Sequence, residues 1–241
     1  MKTIYCILFG LLGLLGSCKQ QTKIDTKTDK YVDQTRNWDI NVEKTYFSST
    51  NAEAEKACRV VNAKVQYLID SLQNNVKTQA DTFFAAFATD TANRPVYNYE
   101  LYIRDTVFLA NEDYISIRLS AYSFTGGAHG MTDFYALNYN MKKQAFVSPQ
   151  EILDFKQRIE INNLLAENFK NEGGCFTEKP TLTNGFTALN ITPKAICFTY
   201  PQYVLGPYSC GYAQVYIPRD KLNGVLSVSY THLTLPTKLE V

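Results

Sequence analysis

Histidine is scarce in this 241-residue sequence: there are 2, beside a single tryptophan. His232 lies in a terminal segment set aside below, so His129 is the one imidazole left to consider. One imidazole excludes a histidine-rich metal site and leaves little material for imidazole acid–base chemistry. An excess of charge of either sign is missing too, since Lys+Arg 24 stand against Asp+Glu 23. Such a balance provides no global field to gather nucleic acid or an anionic surface, so no nucleic-acid partner is expected. The nucleophile elbow Gly-x-Ser-x-Gly, the His-Glu-x-x-His helix and the phosphate-binding glycine loops do not occur. None of the patterns present calls for a cofactor or a metal. No internal repeat is visible. What the chain has is 45% hydrophobic residues, enough for a sizeable core, together with Tyr 17 and Cys 6.

Both ends read as something other than fold. Residues 1–17 combine Lys2, an apolar run from Ile4 to Leu15 and the small residues Gly16-Ser17, the plan of a secretory signal peptide. The run is too short to span a bilayer, which takes about 20 residues. Leu15-Gly16-Ser17-Cys18 resembles a bacterial lipobox, which implies an acylated Cys18 holding the chain to a membrane in the cell envelope. At the other end, Val228 to Thr237 reads as the in-frame translation of a sequencing-library adapter, so residues 227–241 are set aside as non-native. Lys2, Lys238 and Glu240 go with these ends, leaving basic and acidic residues equal in number.

Between them, residues 18–36 are polar and are expected to form a flexible tether. Alternation from Trp38 to Glu43 predicts a strand, and Thr50 to Glu53 a capping box. Apolar residues from Ala54 to Val76 recur at three and four, a long amphipathic helix reaching toward Phe87. Strands are expected over Val96 to Arg104, Thr106 to Leu109 and Tyr114 to Phe124, the last with Ser116, Arg118 and Ser120 on a wet face. A hairpin over Phe134 to Val147 follows. Ser148-Pro149-Gln150-Glu151 then caps a second helix, interrupted near Asp154. Two strands, Ala195 to Tyr200 and Tyr212 to Ile217, flank a loop rich in Pro, Tyr and Gly. The fold class is α+β, a mainly antiparallel sheet packed with two helices, in halves at 37–120 and 121–226.

With Cys6 in the signal and Cys18 acylated, Cys58, Cys175, Cys197 and Cys210 remain. In an oxidising compartment four cysteines suggest two disulfides with three possible connectivities, the alternative being a set of buried free thiols. A Cys197–Cys210 bridge closing the last loop would leave Cys58 to pair with Cys175. Zinc is disfavoured, because the four include no Cys-x-x-Cys and have no histidine nearby.

The candidate site residues fall in two loops. Thr125-Gly126-Gly127-Ala128-His129-Gly130 leaves backbone open to a ligand, or else forms a turn that needs positive φ with His129 packing it. Tyr203, Pro207 and Tyr208 in the second loop offer an aromatic surface for a glycan or a protein. Most other tyrosines suit a half-buried sheet. No two carboxylates are placed at a defined separation for glycoside hydrolysis.

A strand ending in Gly126-Gly127-Ala128-His129, then a hairpin and a helix, then Tyr203-x-x-x-Pro207-Tyr208-x-x-Gly211 before a last strand, resembles domain of unknown function 3298. The stretch from Trp38 to about Leu119 resembles its companion, domain of unknown function 4163. The pair is similar to the extracellular part of an anti-sigma factor that senses lysozyme and to the non-catalytic N-terminal part of a peptidoglycan deacetylase. That resemblance implies a lipid-anchored envelope module binding a lysozyme-like protein or a peptidoglycan glycan through Gly126, Gly127, His129, Tyr203, Pro207 and Tyr208. Two other functions are kept open: a cell-wall hydrolase using His129 with a carboxylate, and a structural envelope lipoprotein.

Overall fold

In a computed structural model of the protein the described residues are 22–227. The signal segment, Cys18 and the tail from residue 228 onward lie outside them. The fold is α+β, as the residue patterns imply. Its larger sheet has six strands in the order β1-β2-β3-β4-β5-β6: β1 (Asp25–Gln34), β2 (Trp38–Ser48), β3 (Tyr99–Ala110), β4 (Tyr114–Phe124), β5 (Met131–Asn140) and β6 (Ala145–Phe146). Only β2 and β3 run parallel, because the long helix α1 (Ala52–Ala85) crosses between them. A smaller antiparallel sheet joins β7 (Ala188–Ile191), β8 (Ala195–Tyr200) and β9 (Ala213–Pro218).

Period 3.6 in the helix and period 2 in the strands build the first core. Ala54, Cys58, Val61, Val65, Ile69 and Val76 form one stripe on α1 and are buried against Ile40, Val42, Leu101, Ile103, Ile115, Ile117 and Leu119. Asn62 fixes the register of helix on strand: its amide accepts from the Phe47 N–H (3.0 Å) and donates to the Phe47 carbonyl (2.8 Å). The helix starts one residue later than the Thr50 box implies. Asn51 is the N-cap, accepting from the Glu53 and Ala54 amides, while Glu55 accepts from Ser49.

Four other expectations need correction. Residues 25–34 are not a tether: the alternation Asp25-Thr26-Lys27-Thr28-Asp29 continues into Tyr31, which faces α1, and all ten residues pair with β2. A charged strand of this kind suits a sheet edge, where apolar residues would invite aggregation. The two strands expected on either side of Asp105 are one strand with an irregularity between Val107 and Leu109. A division at residues 120 and 121 falls inside β4, which is paired on both sides. Ser116 and Arg118 are not wet. Both are buried, because the smaller sheet covers that end of the face.

A polar layer joins the two sheets there. The Ser116 hydroxyl donates to Asn138 Oδ1 (2.7 Å) and accepts from Asn190 (3.1 Å) and the Ile191 amide (3.0 Å). Asn138 donates to the Leu189 carbonyl (2.7 Å). Beyond this layer lies the second core, where β7, β8 and β9 bury Leu189, Ile191, Ile196, Phe198, Val215 and Ile217 against Ile161, Leu164 and Leu165 of α3 (Arg158–Asn168). α3 follows the short α2 (Pro149–Ile152), and the break falls at Asp154, which accepts from the Lys156 amide. At the start of α2 the Glu151 carboxylate reaches back to the Ser148 amide and hydroxyl.

The cysteines pair differently from the arrangement considered above. Cys175 and Cys210 form a disulfide with a Cα–Cα distance of 5.7 Å, and Cys58 and Cys197 are free and buried. Cys58 belongs to the helix stripe of the first core, and Cys197 sits mid-strand in the smaller sheet, so neither side chain reaches a loop cysteine. Burial pushes the Cys58 thiol up to about 11, and it raises that of Cys197 as well.

Candidate functional site

The face of the larger sheet away from α1 is covered by the smaller sheet at one end only. The uncovered part is an open cleft of ≈ 700 Å³ whose lining includes Val32, Asn41, Tyr102, Arg104, Ser120, Tyr122 and Thr132. Strand register explains its floor. Val32, Asn41, Tyr102, Tyr122 and Thr132 are successive pairing partners across β1 to β5, so they form one row on this face. Two residues along each strand, Lys30, Glu43, Arg104, Ser120 and Phe134 form the next row.

Each row has its own chemistry. In the first, the Tyr102 and Tyr122 rings are stacked, with centroids 5.7 Å apart and planes at 15°. Burial holds the Tyr102 phenol above its usual range, with the Glu100 and Asp39 carboxylates adding to the effect. In the second row, Glu43 takes an ion pair from Lys30 at 3.0 Å and a long one from Arg104 at 3.9 Å. These are exposed pairs, worth under about 1 kcal/mol each in stability.

The two glycine- and tyrosine-bearing loops meet at the edge of this cleft, although 74 residues separate their contacting members in sequence. His129 Nδ1 lies 3.1 Å from the Gly130 carbonyl, which can only accept, so Nδ1 carries the proton. Nε2 is then the acceptor for the Tyr203 hydroxyl at 2.8 Å. The Tyr208 ring stacks on the imidazole with centroids 3.7 Å apart and planes at 16°. Both ring nitrogens are therefore engaged by neutral groups, and neither by a carboxylate.

Local backbone geometry holds this cap in place. Tyr203 has φ 69, a left-handed conformation that costs a non-glycine residue energy, and its side chain is 57% exposed. A Cβ on Gly130 would lie 2.4 Å from Tyr122 Cζ and 2.5 Å from the Ser123 carbonyl, so this glycine lets the loop lie flat against the cleft tyrosine. Gly126 has φ +100 and faces the Tyr97 hydroxyl, whereas Gly127 at φ +98 meets open space. Both serve the turn. Pro207 starts the turn Tyr208–Cys210, which the disulfide ties to Cys175. Gln202 spans from the second loop to the Thr132 hydroxyl at 3.3 Å, at the end of the first row.

His129, Tyr203 and Tyr208 are thus brought together, and Gly126, Gly127 and Pro207 shape the loops that carry them. Tyr102, Tyr122, Arg104 and Ser120 were not among the expected site residues. Alternation places each on a strand face, but only the pairing of β1 with β2 and of β2 with β3 aligns them into rows. Among the described residues no group of three or more His, Cys, Asp or Glu side chains is placed to hold a metal, and no helix is long and apolar enough to cross a membrane.

Comparison with known proteins agrees with this layout. Among solved structures, the chain is similar to a DUF3298 family member from Bacteroides fragilis, at 17% identity and TM-score 0.63 over 90% of this chain and 98% of that one. It is also similar to a DUF3298 family protein from Pseudomonas aeruginosa PAO1, at 18% identity and TM-score 0.51 over 87% and 96% of the two chains. At these identities the likeness concerns the fold. No curated protein matches the sequence. Residues 33–132, which include most of the cleft floor, match the family described as deacetylase PdaC. Residues 136–220, which include Tyr203 and Tyr208, match the protein family of unknown function DUF3298. The stretch that matches deacetylase PdaC and the stretch that matches DUF3298 are thus joined through one shared sheet.

Proposed function

We propose that the protein is a lipid-anchored envelope module that binds a cell-wall glycan along the Tyr102–Tyr122 face and performs no chemistry on it. The observation that carries this is the stacked tyrosine pair on the floor of an open cleft, within a row that also bears Asn41 and Thr132. A pyranose ring has one apolar C–H face and a rim of hydroxyl and acetamido groups. Aromatic rings beside amide and hydroxyl side chains match both. The volume lies within the range of about 300–1,000 Å³ usual for small-ligand sites. Resemblance to the non-catalytic part of a peptidoglycan deacetylase supplies the ligand class, and the Cys18 lipobox supplies the attachment.

The absence of catalysis is argued from His129. Its two nitrogens are committed to the Gly130 carbonyl and the Tyr203 hydroxyl, so the imidazole orients the cap rather than acting as a base held by a carboxylate.

Co-sedimentation with purified peptidoglycan tests the reading. The wild-type chain is expected in the pellet, with Tyr122→Ala and Tyr102→Ala shifted to the supernatant. Retention by immobilised lysozyme without retention by peptidoglycan would overturn the glycan assignment. Cys18→Ala is expected to release the protein from membranes, and its continued retention there would contradict the anchor.

A further inference from the structure

β1 is the outermost strand of the larger sheet, and among the described residues no strand pairs with the side it turns away from β2. An open edge presents a row of backbone N–H and C=O groups to any other strand. Folded proteins therefore shorten such an edge, cover it, place proline or a bulge in it, or charge it. β1 is 10 residues long, contains no proline and keeps an unbroken register with β2, so charge alone guards it. That charge is of both signs, from Asp25, Lys27, Asp29, Lys30 and Asp33. Lysines alone would repel a second copy of the strand in every register. Mixed signs forbid some registers and favour others, which makes the edge selective rather than merely repellent.

When a strand pairs antiparallel with its own copy about a two-fold axis, one residue stands opposite itself. The registers that pair most of β1 are centred on Thr28, Asp29, Lys30 or Tyr31. Centring on Asp29 opposes two aspartates there and sets Asp25 against Asp33. Centring on Lys30 opposes two lysines, and centring on Tyr31 sets Asp29 against Asp33. Like charges directly opposite one another are destabilising. The Thr28 register has none: Lys27 faces Asp29, Thr26 faces Lys30 and Asp25 faces Tyr31. Lys27 and Asp29 already pair within one chain at 3.0 Å, so two copies close a ring of alternating charges around the Thr28 axis. Just beyond the strand, the same register sets Lys23 opposite Asp33 and Ile24 opposite Val32, which is 59% exposed. We propose that β1 docks on β1 of a second copy of this chain, antiparallel and centred on Thr28, joining the two larger sheets into one. Lys30 and Val32 line the cleft, so this interface forms the outer border of the cleft in each copy.

Disulfide trapping of the full chain in intact cells tests both the partner and the register. Opposed residues of antiparallel strands have Cα atoms about 4.5–5.5 Å apart, within reach of a disulfide. Thr28 is exposed, so Thr28→Cys leaves the core untouched. Under copper phenanthroline it should pass mostly into a disulfide-linked dimer on a non-reducing gel, with the wild-type chain as the blank. Thr26→Cys alone and Lys30→Cys alone should stay monomeric, since each residue lies about 14 Å from its own counterpart. Cells making those two variants together should give the mixed dimer. Lys27→Asp sets a carboxylate opposite Asp29 and should remove most of the Thr28→Cys product, and adding Asp29→Lys should restore it. Equal cross-linking at residues 26, 28 and 30 marks random collision and overturns the proposal. So does the absence of a Thr28→Cys dimer, or a dimer indifferent to Lys27→Asp.

Discussion

Opening the Cys175–Cys210 bridge should weaken the fold and the cap together. The two cysteines are 35 residues apart in sequence. In the chain-entropy account, closing a loop of that length restricts the unfolded chain by about 4 kcal/mol at 25 °C. For a domain of this size each kcal/mol moves Tm by about 2–4 °C, so the reduced protein should melt about 8–16 °C lower. The effect on the cap should be felt earlier. Cys210 closes the turn that begins with Tyr208, and Gly206 lies so near the Cys175 carbonyl and Phe176 Cα that an added Cβ would stand 3.2 and 3.1 Å from them. Without the bridge, the turn that stacks Tyr208 on His129 loses its tie to the neighbouring loop, and glycan affinity should fall at temperatures where the chain is still folded. Calorimetry with and without a phosphine reductant, repeated on Cys175→Ser/Cys210→Ser, measures the first effect, and titration at 25 °C the second. A Tm unchanged on reduction would refute the reasoning. So would a cross-linked peptide joining Cys58 to Cys175, or Cys197 to Cys210, in a non-reducing digest.

Other outcomes follow from the same contacts. Gly130→Ala forces a Cβ against the Tyr122 ring and a backbone carbonyl that cannot give way, so it should cost about 1–3 kcal/mol in urea unfolding and displace Tyr122 from the cleft. Gly127→Ala meets open space and should cost only about 1 kcal/mol for its positive φ. Asn190→Ala removes a donor to both Ser116 and the Ile117 carbonyl inside the polar layer and should destabilise by about 1–3 kcal/mol. The Cys58 thiol, held near 11 in the fold, and the Tyr216 phenol, pushed up to about 12 by burial and then by the Cys197 thiol, both keep their protons longer when folded than when unfolded. Their stabilising effect is complete below the unfolded values and is lost as pH rises through the folded ones. The urea midpoint should hold to about pH 9 and fall between about 9 and 12. Cys58→Ala should flatten the lower part of that fall, and a midpoint independent of pH across this range would contradict both shifts.

Local periodicity and long-range register were not equally legible in the sequence. The stripe from Ala54 to Val76, the alternation through Ile115, Ile117 and Leu119, and the break at Asp154 were visible because each is set by neighbours within one or two turns. β1 was hidden because its alternation sets Lys and Asp against Thr, with Tyr31 as its apolar anchor on the helix and Asp33 held by Lys77. β7 is four residues long, and three of them, Leu189, Asn190 and Ile191, serve two different layers. Ser116 and Arg118 look like solvent residues in any reading confined to β4, since their cover arrives from strands some 70–80 residues away. The cap was half legible. Its glycines and tyrosines mark the loops, but the hydrogen bond from Tyr203 to His129 depends on the return of the chain. The cleft floor was not legible at all, because it needs the register of five strands at once. The cysteine pairing failed for the reverse reason: spacing favoured Cys197 with Cys210, while strand alternation turns Cys197 inward.

The central claim is that the Tyr102–Tyr122 face is a glycan platform, and the position of a bound ligand tests it most directly. Saturation transfer by NMR from the protein to a soluble peptidoglycan glycan fragment, with chemical shifts mapped on the protein, locates the contact. The sugar ring protons should receive magnetisation from tyrosine rings, with shifts concentrated at Tyr102, Ser120, Tyr122 and Thr132 and extending to His129 and Tyr203. Tyr122→Ala should weaken binding at least tenfold, or about 1.4 kcal/mol. Shifts centred on the outer face of α1 around Tyr67, or an affinity that survives Tyr122→Ala unchanged, would contradict the account.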